Sequence, residues 1–254
     1  MKRVLTVVMV VIVAVCAACA QTTTIAPDGG GHAFAQVHTD LAAQYYKVGQ
    51  VSVAVQEAEQ ALSGTPNFVP AHNLLALMYA QLHENTKANE HFTKALSIEP
   101  KNTDLRNNYA WFLCGTNRST EALTEFSKVL RDPLYPSMDK ALTNAGACAA
   151  RIGRLDLATS YLNAALKVNP NNGVAYLYRG HVALNEQSYA AASEALQAAE
   201  NTLGRSTSLL WLSARLAKAQ GRTEQLNQII AAIVQESPIS EEAAWARAGQ
   251  FDVF

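Results

Sequence analysis

Residues 69–102 read VPAHNLLALMYAQLHENTKANEHFTKALSIEPKN, and this stretch decides the fold. It contains two apolar patterns with helical spacing, one after the other, and a proline near its end. The residues that form these patterns are Leu75, Ala76, Tyr79, Ala88, Phe92, Ala95 and Pro100. Small alanines let two antiparallel helices approach closely, and the larger side chains fill the space beside them. Because Pro100 cannot continue a helix, it ends the second one.

The same frame recurs about every 34 residues along the chain. Its spacing resembles that of the tetratricopeptide repeat (TPR), a pair of antiparallel helices that buries its apolar face only by stacking on neighbouring pairs. We therefore predict an all-α fold over residues 35–254, a right-handed superhelix of about six TPR hairpins. The predicted repeats cover residues 35–68, 69–102, 103–138, 139–172, 173–206 and 207–240, and a short C-terminal tail follows.

Particular positions in the first, third, fifth and sixth repeats need separate interpretation. Arg179 occupies an apolar position of the fifth repeat, and Leu226 occupies a small-residue position of the sixth, as is typical of an end-capping repeat. Pro133 and Pro136 lengthen the third repeat, since each proline stops a helix and widens the turn. In the first repeat the frame places Leu41 among the packing residues of the hairpin.

The first 18 residues are typical of a secretory signal rather than of the fold. Lys2 and Arg3 precede an apolar run from Val4 to Val15, and small residues follow it. As a helix this run would span about 18 Å, short of the roughly 30 Å hydrocarbon core of a bilayer. We therefore predict a cleaved signal peptide over residues 1–18 rather than a permanent membrane span.

A cysteine follows the apolar run, and its surroundings resemble a bacterial lipobox. Ala18 precedes Cys19, as the processing enzyme prefers, although Cys16 stands where leucine is usual. The resemblance implies lipidation of Cys19, and ordinary cleavage near Ala20 is the alternative. Since no Asp follows Cys19, enterobacterial sorting rules imply the outer membrane, with the protein mainly facing the periplasm. We predict that residues 19–34 carry the lipid and form a flexible tether.

Composition and motifs argue against several other functions. The formal net charge is −1, or −3 without Lys2 and Arg3, which gives no electrostatic reason to expect nucleic acid as a partner. The six histidines show no metal-ligand spacing, and the chain has no Gly-rich phosphate loop or nucleophile elbow. The repeats use every residue from 35 to 240. We therefore expect no enzyme activity, no catalytic residue, no metal, no cofactor and no small-molecule substrate.

Besides the lipidated Cys19, two cysteines remain after the predicted processing, and the frame places both in neighbouring first helices. A disulfide needs Cα atoms within about 7 Å, whereas adjacent helices usually lie 8–10 Å apart. An oxidising periplasm favours the bond. We predict a Cys114–Cys148 disulfide, whose loop of about 35 residues would be worth roughly 3–4 kcal/mol. Two buried free thiols are the alternative.

The first helices of a TPR array line its concave face, which usually binds peptide segments or other proteins. Here that face carries a mixture of aromatic, amide and charged side chains, and Arg151, His181 and Lys218 are among them. The candidate protein-binding residues are Tyr46, Asn73, Leu77, Asn107, Trp111, Trp211 and Arg215. Asn107 and Trp111, one helical turn apart, form the predicted anchor. Packing of Trp111 between repeats is the alternative.

Several short motifs resemble those of the type IV pilus biogenesis lipoproteins known as PilF or PilW. They are Asn107-Asn108-Tyr109-Ala110-Trp111-Phe112-Leu113, Leu134-Tyr135-Pro136, Asn144-Ala145-Gly146, Ser208-Leu209-Leu210 and Arg215-Leu216-Ala217-Lys218. The motifs include positions that the repeat does not dictate, and the resemblance covers nearly the whole chain. Ala110 stands where the family has glycine.

The resemblance implies a protein held in the outer membrane by a lipid anchor. Members of this family help the secretin, the outer-membrane pore of the pilus machine, to localise and form its multimer, and in some species they act on the stability of the pilus fibre instead. The implied partners are the pilus secretin or other pilus assembly proteins. The alternative is a lipid-anchored TPR scaffold of another envelope machine, for outer-membrane barrel assembly or cell-wall synthesis.

Overall fold

The computed structural model describes residues 27–251, with side chains from residue 30 onward. This part of the chain contains thirteen α-helices and no strand. The helices are α1 (Pro27–Lys47), α2 (Val51–Gly64), α3 (Val69–Gln81), α4 (Asn85–Ile98), α5 (Thr103–Gly115), α6 (Ser119–Val129), α7 (Met138–Arg151), α8 (Leu155–Val168), α9 (Gly173–Asn185), α10 (Tyr189–Leu203), α11 (Thr207–Ala219), α12 (Thr223–Glu236) and α13 (Glu241–Ala248). Two compact units, Met1–Leu82 and His83–Phe254, hold α1–α3 and α4–α13.

The helices confirm the predicted fold class, an all-α fold of TPR-type hairpins. First and second helices of the predicted repeats alternate along the described chain, and most are 13 or 14 residues long. Polar caps define several first helices: the side chains of Asn102 and Asn172 accept from the backbone N–H groups of Leu105 and Ala175, each at 3.0 Å. These bonds satisfy donors that a helix start leaves unpaired.

Small residues let the two helices of a hairpin touch in the second unit. A Cβ atom added to Gly146 on α7 would lie 2.7 Å from Cγ of Leu162 on α8. A Cβ atom added to Gly180 on α9 would lie 2.6 Å from Cδ2 of Leu196 on α10. The small-residue positions of the frame are therefore sites of backbone approach, as the repeat pattern predicts.

The first unit begins earlier than the predicted tether allows. Helix α1 starts at Pro27, so residues 27–34 are helical, and only residues 19–26 of the predicted tether lie outside the described residues. Tertiary contacts account for this correction. The Thr65 hydroxyl donates to the Gly31 carbonyl at 3.0 Å, and the His32 ring packs edge-on against Phe68 with centroids 4.9 Å apart.

One face of α1 leaves apolar side chains exposed, which differs from the packing position predicted for Leu41. Leu41 is 41% exposed, and Val37 and Phe34, one and two turns earlier, are also exposed. Helix α1 is the first described helix, so no earlier hairpin of the described chain covers this face. The neighbouring Ala42 and Ala35 remain fully buried.

The long turn of the third repeat, between α6 and α7, folds back on α5. Tyr135 is buried, and its hydroxyl donates to Oδ1 of Asp104 at 2.7 Å. Burial and this carboxylate both raise the pKa of Tyr135, so the phenol stays protonated. Asp132 accepts from the Thr103 hydroxyl at 3.0 Å. The two prolines therefore widen a turn that is still tied to the preceding helix.

The two predicted departures from the frame have local explanations. The Arg179 guanidinium on α9 donates to Oδ1 of Asn163 on α8, which gives a cation a partner at an apolar position. Leu226 on α12 is partly buried against the cluster that closes the second unit. Helix α13 covers this end, and the Ser240 side chain caps it by accepting from the Ala243 N–H at 3.1 Å.

Candidate functional site

A cavity lies on the first-helix side of the second unit, where α5, α7 and α9 adjoin. Its volume is about 140 Å³. Each of the three helices contributes two residues to its lining. These are Trp111, Cys114, Ala147, Arg151, Tyr178 and His181. Each pair is three or four residues apart, because such residues share one face of a helix.

Beside this cavity, the structure joins Cys114 on α5 to Cys148 on α7. The two Cα atoms are 5.8 Å apart, closer than adjacent helices usually lie, and both side chains are buried. The alanine-rich α7 allows this approach, since Ala145, Ala147 and Ala149 present little bulk toward their neighbours. The bond fixes the spacing of α5 and α7, and with it the distance between two walls of the cavity.

His181, which lines the cavity, contacts two further polar side chains, Asn185 and Arg215. His181 Nδ1 lies 3.2 Å from Nη1 of Arg215 on α11, and Nε2 lies 3.1 Å from the side-chain amide of Asn185. Because a guanidinium only donates, Nδ1 of His181 accepts in the contact with Arg215. Burial, and then the positive charge of Arg215, lower the pKa of His181 to about 4. His181 is therefore neutral at pH 7 and orients the Arg215 side chain.

Comparison with known proteins identifies the repeat. Residues 34–179 match the family model described as "Tetratricopeptide repeat". The chain belongs to the tetratricopeptide repeat family. No curated protein sequence matches the chain.

Solved structures of TPR proteins resemble the chain over most of its length. One is PilW, a widely conserved type IV pilus biogenesis factor, at 31% identity over 82% of this chain and 96% of PilW, with a TM-score of 0.73. Another is PilF of Pseudomonas aeruginosa, at 24% identity over 87% and 99% of the two chains, with a TM-score of 0.69. A tetratricopeptide repeat protein from Parabacteroides merdae, at 16% identity over 86% and 84% and a TM-score of 0.73, shares the fold.

The structure separates the two residues of the predicted anchor. Trp111 is 41% exposed and lies at the rim of the cavity, which fits a binding role. Asn107 is only 8% exposed, and its Oδ1 accepts from Nδ2 of Asn144 on α7 at 3.4 Å. This corrects the prediction for Asn107, whose side chain links two first helices of the TPR array instead of facing a partner.

Trp211 is not a surface residue, which corrects its place among the binding candidates. Its side chain is 1% exposed on α11. The rings of Trp245 and Phe251 pack against it, with centroids 5.6 Å and 5.1 Å away. Arg215, one turn later on the same helix, is partly exposed and reaches His181, so it stays a candidate.

The remaining candidates belong to the first unit. Tyr46 lies in the last turn of α1, and Asn73 and Leu77 lie one turn apart on α3. All three are partly buried. A binding role for these three side chains stays a prediction.

Sequence reasoning missed two residues that form the cavity. Ala147 falls at an inner-face position of the frame but was not named as a candidate, and Tyr178 falls outside those positions, yet both line the cavity. The frame treats every helix alike and ignores side-chain length, whereas Tyr178 is long enough to reach beyond the edge of α9. Burial raises the pKa of Tyr178, consistent with a phenol packed within the array.

Among residues 27–251, no three His, Cys, Asp or Glu side chains are grouped so that they could hold a metal ion. No helix in the described part of the chain is long and apolar enough to cross a membrane.

Proposed function

We propose that this protein is a lipid-anchored scaffold of the outer membrane that binds another component of the type IV pilus machine. The observation that carries the proposal is the 31% identity to PilW, a type IV pilus biogenesis factor, over nearly the whole of that protein. TPR arrays bind proteins through the faces of their helices, and the open cavity on α5, α7 and α9 is such a surface.

Motifs outside the repeat pattern support a role in the pilus rather than in a general TPR scaffold. The Leu134-Tyr135-Pro136 turn is tied to α5 through Tyr135 and Asp104, and Asn107 is tied to Asn144. These contacts set how successive hairpins stack beside the cavity. The proposed role is assistance to the secretin in reaching the outer membrane and forming its multimer, or stabilisation of the pilus fibre.

The proposed anchor lies in the part of the chain outside the described residues. The signal peptide over residues 1–18, lipidation of Cys19 and location on the periplasmic side of the outer membrane rest on the sequence motif. Because α1 begins at Pro27, the chain from Cys19 to the first helix can span at most about 28 Å. The proposal therefore holds the first unit close to the bilayer surface, where an outer-membrane partner would be met.

The other envelope machines remain the second candidate. A lipid-anchored scaffold for outer-membrane barrel assembly or cell-wall synthesis would have the same fold and the same anchor. The proposal assigns no enzyme activity in either case, since TPR scaffolds generally act by binding.

The test is made in the native host by following the secretin on gels, where its assembled ring runs as heat-resistant multimers. Deletion of the gene should abolish the multimers, and Cys19→Ala should reduce them sharply. Cys16→Ala is the matched control and should leave them unchanged, since only Cys19 is the proposed lipid site. Unchanged multimers with normal pilus fibres in the deletion strain would refute the pilus role.

A further inference from the structure

The cavity on α5, α7 and α9 has the size and walls of a slot for one aromatic ring. Its volume of about 140 Å³ is close to the roughly 150 Å³ of an apolar protein cavity that accommodates benzene. Trp111 on α5 and Tyr178 on α9 line it, and the small side chain of Ala147 lines it from α7. Aromatic rings pack favourably edge-on or offset against such walls.

One arginine lines this slot and a second lies beside it. Arg151 lines it and is exposed, and no carboxylate of the described chain forms an ion pair with it. Arg215 lies on the next first helix and is oriented by His181. None of the six lining residues is acidic. Guanidinium groups so placed match carboxylates, which they bind in a fixed, two-pronged geometry.

We propose that this cavity binds one aromatic side chain of an extended segment of the partner protein, and that Arg151 and Arg215 bind acidic side chains beside it. The inference rests on the proposed function as a protein-binding scaffold and specifies the chemistry of the bound segment. Neighbouring helices lie 8–10 Å apart and an extended chain advances about 3.3 Å per residue, so each helix along the array corresponds to roughly three residues of the segment. One acidic residue is therefore next to the aromatic residue, beside Arg151, and another lies about three or four residues from the aromatic residue, because Arg215 reaches back to His181 in the cavity lining.

A fluorescein-labelled peptide, Asp-Ser-Gly-Asp-Phe-Asp-Gly-Ser-Asp, tests this chemistry by fluorescence anisotropy with the full chain in detergent. The peptide reads the same in both directions, because the cavity does not define the direction of the bound chain. Replacing its Phe with Ala should weaken binding about tenfold or more, given the apolar area that the ring buries. Replacing every Asp with Asn should also weaken binding roughly tenfold, and added salt should do the same.

Variants of the protein locate the binding. Arg151→Glu should weaken binding of the acidic peptide roughly tenfold, since it replaces attraction with repulsion. Arg154→Glu makes the same charge change three residues later, at an exposed position outside the cavity lining, and should leave binding unchanged. Ala147→Met should fill the slot, and Trp111→Ala should remove one wall from an exposed position that the core does not need. Melting curves of all four variants check that each one is folded.

Several outcomes would overturn the inference. One is equal binding of a peptide in which Lys replaces every Asp, and another is an equal loss of affinity for Arg151→Glu and Arg154→Glu. Experiments in the native host distinguish a failure of the proposed pilus role from a failure of the proposed slot. If deletion abolishes secretin multimers but Arg151→Glu and Trp111→Ala restore them like wild type, the pilus role stands and the slot is wrong. If the peptide binds through Arg151 but deletion leaves multimers and fibres intact, the slot stands and the pilus role is wrong.

Discussion

Substituting alanine for Gly146 tests whether the helices pack as closely as the structure shows. The new Cβ atom would lie 2.7 Å from Cγ and 2.9 Å from Cδ2 of Leu162, and 3.3 Å from the carbonyl oxygen of Ala158. Carbon atoms normally pack about 3.5–4.0 Å apart. Leu162 and Ala158 are fully buried, so neither has free space into which to move. Helices α7 and α8 must therefore separate locally by most of an ångström.

We expect Gly146→Ala to lower the free energy of unfolding by about 1–3 kcal/mol, the usual cost of overpacking a core. This loss outweighs the roughly 0.5–1 kcal/mol that alanine gains over glycine within a helix. Urea denaturation followed by circular dichroism measures the difference. Since Ala147 and Cys148 follow Gly146 on α7, the shift should also weaken binding of the acidic peptide.

Gly115→Ala is the matched control for this experiment. Gly115 ends α5, and a Cβ atom added there meets nothing within 4 Å. The variant should be as stable as wild type, or more stable by up to about 1 kcal/mol. If Gly146→Ala and Gly115→Ala have the same denaturation midpoint, the close approach of α7 and α8 is not real, and the argument for small residues in the frame fails with it.

Three further predictions concern the second unit. Titration of the denatured, unreduced protein should find no reactive thiol from Cys114 or Cys148, and reduction should lower stability by roughly 3–4 kcal/mol; two thiols per chain would contradict the bond. Trp211→Ala should destabilise by about 3–5 kcal/mol, because it empties the space beneath Phe251, and an unchanged melting temperature would show that Trp211 is not buried. Since the pKa of His181 is lowered to about 4 in the fold, its stabilising effect is complete above the unfolded pKa of about 6.5 and is lost as the pH falls toward 4. His181→Gln should therefore lose less stability than wild type between these pH values, and parallel pH curves for the two proteins would refute the shift.

Local pattern was enough to predict the hairpins. A position such as Gly146 or Ala88 must be small wherever two helices cross, whatever lies beyond them, so the repeat frame carries the same information in every unit. The frame was wrong about the packing of Leu41. Burial of this side chain requires a neighbouring hairpin, and the first described helix has none before it.

The candidate site was only partly predictable from the sequence. Trp111 and Trp211 hold the same kind of position in the frame, yet one is exposed and the other is buried under Trp245 and Phe251. The frame places Asn107 on the same face as Trp111, but a hydrogen bond to Asn144 turns it toward the next helix.

The sequence by itself therefore determined the all-α repeat and the helices that can meet a partner. Only the tertiary structure decided which side chains on those helices form a cavity, which ones close an end of the array, and that residues 27–34 join α1. The physical reason is the range of the contacts. The apolar periodicity of a helix can be recognised from a few consecutive residues. The exposure of a side chain on that helix depends instead on which segment, distant in sequence, packs on top of it.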